Sequence, residues 1–384
     1  MRKVRMGMVG GGEGSFIGGV HRMAATLDGE IELVCAALSS DPARAQRSAK
    51  ALHLAPERCY DDYRHMMARE QALPLSQRME FVAIVTPNHL HFPVAIAAIE
   101  HGFHVLSDKP ATLSLEEAHQ LRTVLHNHCD VLYGLTQTYT GYPMVREARA
   151  RVAAGEIGAV RKIIVDYSQG WLSSNVEAED NKQAQWRLDP QRSGASACMS
   201  DIGVHAANLA EYVSGLAITE VCAELTTFVP QRLLDDDGSV LLRFSNGTRG
   251  LLHASQICCG EENNLSLRIY GEKGGLSWSQ EEPNSLWLLR ADQPKQLLRT
   301  ASSQLSPHAA ASARLLAGHP EGYIEAFANI YREFARAIRL FTNGTPAAKV
   351  MQLLPDIQTG VRGMAFIEAV VASSKSQKWL AVPQ

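Results

Sequence analysis

The chain has 384 residues, 46% hydrophobic and 20% charged, with 37 basic against 40 acidic side chains and a formal charge of −3. That length exceeds one ordinary core and points to two domains, the composition excludes extensive disorder, and the balanced charge excludes a global field drawing the protein to nucleic acid or an anionic membrane. Seven cysteines without a Cys-x-x-Cys pair, no visible export signal, and apolar runs far shorter than the roughly 20 residues of a membrane span predict a cytoplasmic protein with small-molecule partners.

Val4 to Val9 reads as a strand, followed by a glycine cluster, a helical stretch from about Gly18 to Leu27 and a second strand over Ile31 to Leu38. The pattern repeats with a continuous apolar run at Phe81 to Val85, a helix over Val94 to Glu100 stopped by Gly102, and a strand over Phe103 to Leu106. Ser114-Leu115-Glu116-Glu117 has the form of a capping box, and Val131 to Leu135 closes the series. Residues 1 to about 134 therefore predict an open parallel sheet covered by helices on both faces. After that the grammar changes. Pro143 opens a helix that Gly155 ends, and strands of alternating type follow at Ile163/Val165/Tyr167, Val240/Leu242/Phe244 and Leu265/Leu267/Ile269, with Asn246-Gly247 as a hairpin turn. Residues 135–384 thus predict an antiparallel sheet with helices on one face. Asp292 to Gly318 lacks periodicity and reads as a long loop that orders on ligand binding. Tyr323, Phe327, Ile330, Tyr331, Phe334 and Ile338 keep helical spacing and predict a core helix.

The glycine cluster lies where a pyrophosphate can approach bare backbone at the positive end of a helix. Gly10, Gly12, Ser15, Phe16, Ile17 and Gly18 are its candidate cofactor contacts, although Gly18 comes three residues later than the simple pattern places the third glycine. Cofactor choice is set at the end of the second strand. Ser39 and Ser40 stand there, then Asp41, with Arg44 further on; two hydroxyls beside a guanidinium lean slightly to NADP, while Asp41 would bond ribose hydroxyls, as in NAD, if the strand ends later.

With these motifs together, the sequence resembles the Gfo/Idh/MocA family of NAD(P)-dependent oxidoreductases over nearly the whole chain. The resemblance rests on Gly18-x-x-His21, on Thr86-Pro87-Asn88-His89-Leu90-His91, on Asp108-Lys109-Pro110, on Trp186-Arg187, and on Asp201-Ile202-Gly203-Val204-His205. It implies a Rossmann domain over residues 1–134 joined to an α+β domain on an open, mostly antiparallel sheet over 135–384. It implies hydride transfer between NAD(P) and a secondary hydroxyl or ketone of a sugar, anhydrosugar or inositol-like polyol. It also implies homodimers or homotetramers assembled through the C-terminal sheet. It places Thr86, Pro87, Asn88, His91, Asp108 and Lys109 beside the cofactor, with Asp108 standing where the family usually has glutamate. Lys109, Asp201 and His205 are implied as the catalytic group. Alternatives within the fold are a glycoside hydrolase that retains NAD and a dinucleotide-sensing regulator without turnover, against which the retention of Lys109 and His205 argues.

The chemistry of those residues agrees. On a helix, Asp201 and His205 share one face, so the carboxylate can orient the imidazole and favour its cation. Removing a hydroxyl proton while hydride leaves carbon needs a base of near-neutral pKa, which His205 supplies, and Lys109 can stabilise charge on the same oxygen. Trp171, Trp186 and Arg187 are candidate substrate contacts, with His319 and Tyr167 behind them. His89 and His91 alternate around Leu90 and, in an extended segment, would point to opposite faces, so no metal is expected.

Overall fold

The apolar run Val4–Gly10 forms β1, buried along nearly its whole length as a strand covered on both faces must be. The computed structural model describes residues 2–179 and 181–384. In chain order β1 is followed by α1 (Phe16–Thr26), β2 (Ile31–Ala37), α2 (Pro42–Ala51), α3 (Tyr63–Gln71), β3 (Phe81–Val85), α4 (His91–Glu100), β4 (His104–Ser107), α5 (Leu115–Asn127) and β5 (Tyr133–Leu135). The five strands are parallel in the order β2-β1-β3-β4-β5. The order reverses between β1 and β3, whose carboxyl ends therefore border the crevice where open α/β sheets take their ligands. Side-chain caps fix the helix starts: Ser15 for α1, Asp41 for α2 and Ser114 for α5. The Ser114 hydroxyl accepts from Glu117 N, as the capping box predicts, but the Glu117 carboxylate reaches one residue further back, to Leu113 N.

The later elements are α6 (Pro143–Ala153), β6 (Val160–Ser168), α7 (Lys182–Arg187), α8 (Pro190–Ser193), α9 (Val204–Ser214), β7 (Ile218–Thr226), β8 (Asp237–Phe244), β9 (Arg249–Ser255), β10 (Asn264–Gly271), β11 (Gly275–Ser279), β12 (Ser285–Leu289) and β13 (Gln296–Arg299). They end with α10 (Pro307–Ala310), α11 (Tyr323–Thr342), α12 (Ala347–Val350), α13 (Ile357–Ser376) and β14 (Leu380–Ala381). Nine strands build one sheet in the order β13-β12-β11-β10-β6-β9-β8-β7-β14, antiparallel except for β6 beside β9. The predicted alternation holds: Ile163, Val165 and Tyr167, Val240, Leu242 and Phe244, and Leu265, Leu267 and Ile269 are all buried. Asn246-Gly247 turns β8 into β9, with Gly247 at a φ of 88°.

One expectation changes. Asp292 to Gly318 is not one long loop, because it contains β13, paired with β12 through Leu286 and Leu298, and the short helix α10. A half-exposed edge strand and a four-residue helix are too short and too exposed to impose a hydrophobic period on the sequence. By contact, residues 1–136 group with 327–361 in a first unit and 137–326 with 362–384 in a second, so the chain passes between the units three times. The reason lies in α11, whose Phe334 meets Phe81 of β3 at 5.4 Å between ring centroids. Among the described residues no helix is long and apolar enough to cross a membrane, and all seven cysteines are free thiols.

Candidate active site

In the first unit the predicted cofactor contacts gather at the carboxyl ends of the strands: the glycine loop after β1, Ser39, Ser40 and Arg44 after β2, Thr86, Pro87 and Asn88 after β3, and Asp108 with Lys109 after β4. Two glycines are required by geometry. Gly10 has a φ of 80°, and a Cβ there would strike the Val85 carbonyl at the end of β3. A Cβ on Gly18 would fall against the Gly11 carbonyl, so only glycine lets α1 approach the turn this closely. The extra residues fold away from that cradle. Ser15 N donates to Gly12 O (3.0 Å), Glu13 N donates to Ser48 Oγ (2.9 Å), and the Glu13 carboxylate pairs with Arg47 (2.9 Å), which pins the enlarged loop to α2. Phe16 points outward, 75% exposed. The bare glycine backbone, the amino end of α1 and a buried Thr86 Oγ1 that has no hydrogen-bond partner fit a dinucleotide lying across this edge. After β2, Ser39 Oγ accepts from Asp41 N (3.1 Å), while Asp41 caps α2 through Arg44 N (3.1 Å).

Asp108 stands between a buried histidine and the start of the Lys109 turn. Its Oδ1 accepts from Thr136 Oγ1 (2.8 Å) and Lys109 N (2.9 Å), and its Oδ2 lies 3.6 Å from Nε2 of His21. Burial raises the Asp108 carboxyl, but the His21 contact and the charges of His21, Lys109 and His91 outweigh it and hold the group well below the usual carboxylate range. On its other side His21 Nδ1 meets the Tyr331 hydroxyl at 2.7 Å. The Lys109-Pro110 peptide is cis. His91 is a clamp, with Nδ1 2.6 Å from Pro110 O and Nε2 2.9 Å from Thr86 O, and burial holds it below its ordinary pKa. The extended segment assumed for His89 and His91 is not present: residues 88–90 make a tight helical turn and His91 opens α4.

The second unit carries the other predicted residues. Asp201 does not sit in the α-helix that holds His205 but in a π-helical turn, Met199–Gly203, running directly into α9, so the expected single helical face is widened by the π turn. Asp235 sets where this turn begins. Buried on the loop before β8, it accepts from Ala197 N (3.0 Å), Met199 N (3.1 Å) and Ser196 Oγ (2.9 Å). Asp201 Oδ2 accepts from Arg187 Nε (3.1 Å) and Gln256 Nε2 (3.0 Å). The Arg187 guanidinium lies over the rings of Trp186 (4.4 Å) and Trp171 (5.9 Å), which brings these three predicted contacts together beside Asp201. His319 is exposed and its Nδ1 lies 3.1 Å from Leu316 O.

Several site residues had no motif to announce them. The parallel pairing of β6 and β9 places their carboxyl ends side by side, and there Trp171 Nε1 donates to Gln169 Oε1 (3.0 Å) while Gln169 Nε2 and the Tyr167 hydroxyl both donate to Asn263 Oδ1 (2.7 and 2.8 Å). Tyr167 also meets the Tyr139 hydroxyl, and burial pushes both phenols far above their ordinary pKa, so they stay protonated. The Tyr139 ring stands edge-on to His205 at 4.9 Å, and His205 Nδ1 lies 2.8 Å from Gln137 Oε1. Thr136-Gln137-Thr138-Tyr139-Thr140 is buried without interruption, yet in sequence this polar run reads as an exposed connection, so nothing there announces Gln137 or Tyr139.

A parallel sheet with a glycine cradle at its switch point, followed by an α+β unit rich in buried amides and phenols, defines a dinucleotide-binding protein of two units. Residues 4–148 match the oxidoreductase family with an NAD-binding Rossmann fold, and residues 145–277 match the GFO/IDH/MocA C-terminal domain. An oxidoreductase of Bacillus subtilis (strain 168), YfiI, described as uncharacterized, is 30% identical over 97% of this chain and 95% of its own. An inositol dehydrogenase homolog from Azotobacter vinelandii, solved with NAD+, is 34% identical over 99% of this chain and 97% of its own, with a TM-score of 0.94. Its complex with NADH and myo-inositol superimposes with a TM-score of 0.91 at 34% identity, over 99% and 98% of the two chains. The chain belongs to the Gfo/Idh/MocA family of oxidoreductases.

Proposed function

We propose that this oxidoreductase transfers hydride between NAD(P) and one secondary hydroxyl of a sugar, anhydrosugar or inositol-like polyol. The observation that carries this reading is the wall of neutral amides and phenols in the second unit, Gln256, Gln169, Asn263, Tyr167 and Tyr139, running from Asp201 to the ring of His205. Closely spaced neutral donors and acceptors suit a ring bearing several hydroxyls better than an anionic substrate. The bound myo-inositol of the Azotobacter vinelandii relative supports the same class.

When bound, the nicotinamide supplies the hydride chemistry. His205 takes the hydroxyl proton during oxidation and returns it during reduction. Lys109 supplies a cationic donor able to stabilise a developing alkoxide, and Asp201, held by Arg187 and Gln256, keeps a negative charge one turn from His205 that favours the imidazolium. Arg187, Trp186 and Trp171 border the substrate. Gly10, Gly12, Ser15, Phe16, Ile17, Gly18, Thr86, Pro87, Asn88, His91, Asp108 and Lys109 serve the dinucleotide. At the adenosine end, Ser39, Ser40 and Arg44, whose guanidinium lies 4.0 Å from Asp41, are the groups a 2′-phosphate would meet, and on them this reading leans to NADP over NAD.

One experiment tests the whole reading: a panel of cyclic polyols and sugars with both cofactors, followed by nicotinamide absorbance. Net turnover is expected, with NADPH bound more tightly than NADH. Lys109→Ala and His205→Ala should each lower kcat by about 100-fold or more while cofactor affinity holds. Near-normal turnover in either variant would remove that residue from the mechanism. Tighter NADH binding would overturn the cofactor assignment, and glycoside cleavage without net NAD(P)H would favour the hydrolase reading.

A further inference from the structure

Gln137 has a buried and firmly anchored backbone. It follows β5 by two residues, is 3% exposed, and its carbonyl accepts from both Thr140 N (3.0 Å) and Thr140 Oγ1 (2.8 Å), which closes the next turn onto its own backbone. From that anchored position its amide oxygen meets His205 Nδ1 at 2.8 Å, while Tyr139 fixes the plane of the imidazole from its edge. An amide oxygen can only accept. The contact is therefore a hydrogen bond only when Nδ1 carries the proton, and in the neutral ring Nε2 is then left with its lone pair.

We infer that Gln137 is a positioning residue that holds His205 in the Nδ1–H tautomer, so that Nε2 presents the lone pair able to take a hydroxyl proton. The inference rests on the proposed role of His205 as base. A neutral acceptor here has a chemical consequence that a carboxylate would not: it orients the ring without adding charge, so the imidazole is fixed while its basicity is left to its other surroundings. Those surroundings include neutral phenols and paired charges. Tyr139 and Tyr167 remain protonated phenols, and Asp201 on the preceding π turn accepts from Arg187 and Gln256. On α6, Arg146 binds Thr140 O and Ser312, while Glu147 binds Arg151 and Ser306 N. The charged groups of β6 and β9 nearest in register, Asp166 and His253, bond to one another, and Asp166 alternates with the inward-facing Val165 and Tyr167.

The test uses the full-length protein with Gln137→Glu, which keeps the shape and adds charge, and Gln137→Met, which keeps the length and removes the acceptor. Nitrogen-15 spectra of the His205 ring should show protonated Nδ1 in the parent and a shift of the proton toward Nε2 in Gln137→Met. In the rate profile, Gln137→Met should lower kcat about tenfold or more with cofactor affinity within about twofold, and Gln137→Glu should move the acid limb of kcat/KM upward by about one pH unit. An unchanged His205 tautomer in Gln137→Met, or an acid limb in Gln137→Glu that stays where the parent has it, overturns the inference. If the parent shows the Nδ1–H tautomer and its dependence on Gln137 but turns over no polyol, the positioning stands and the proposed function falls.

Discussion

His253 shows how a single side chain ties three strands together. It projects from β9 between β6 and β8, with Nδ1 2.8 Å from Asp166 and Nε2 3.5 Å from Asp237. The bonds to these two carboxylates, with their charge, overcome partial burial and push its pKa up to about 10. A folded-state value above the ordinary one means that the stabilisation is complete below about pH 6.5, fades as pH rises, and is lost on passing about pH 10. Denaturant midpoints should therefore fall across that interval, and His253→Gln, less stable at pH 7, should fall less steeply. Parallel slopes for the two proteins would show that His253 is uncharged or unpaired. Neither carboxylate could be assigned to His253 from the sequence, because Asp166, Asp237 and His253 are far apart along the chain and meet only through strand register.

At the scale of elements, the glycine loop was the most legible feature, because its requirement is steric. Gly18 and Gly19 are neighbours in sequence on α1 but not in consequence. Alanine at Gly18 would press on the Gly11 backbone, while a Cβ on Gly19 meets nothing within 4 Å. Gly18→Ala should lower cofactor affinity by about tenfold or more and destabilise the fold by about 1–3 kcal/mol, whereas Gly19→Ala should gain up to about 1 kcal/mol from helix propensity. Titration of cofactor fluorescence and thermal melts separate the two, and equal behaviour would mean that α1 does not pack on the turn as described. Although Ser15 and Asp41 were not read as caps, the cap at Ser114 and the buried strands were equally readable, since a cap or a continuous apolar run is local. The π turn at Met199–Gly203 was not. Its start depends on Asp235, 36 residues downstream of Met199, and an i,i+4 spacing reads the same in either kind of helix.

For the whole molecule, the nine-stranded sheet leaves apolar side chains in view: Leu241 of β8 is 47% exposed, Leu251 of β9 is 39% and Trp287 of β12 is 41%. An apolar sheet face in view is a candidate surface for a second copy of the chain, and a charge placed on it tests that expectation. Leu251→Glu should shift the protein to a smaller species in sedimentation experiments with little change in the secondary structure of each chain, and an unchanged mass would move the interface elsewhere. The sequence by itself determined the Rossmann unit, the mostly antiparallel second sheet, the family, and the residue types available for hydride transfer. Each of these follows from short-range periodicity, turn chemistry or a contiguous motif. Only the tertiary structure decided that α11 lends Tyr331 and Phe334 to the first unit, that the parallel β6–β9 pair brings Gln169 to Gln256, and that Gln137 meets His205. An uncharged amide has no spacing rule and no charge to betray it, and acquires a function only when folding removes water and leaves it one partner.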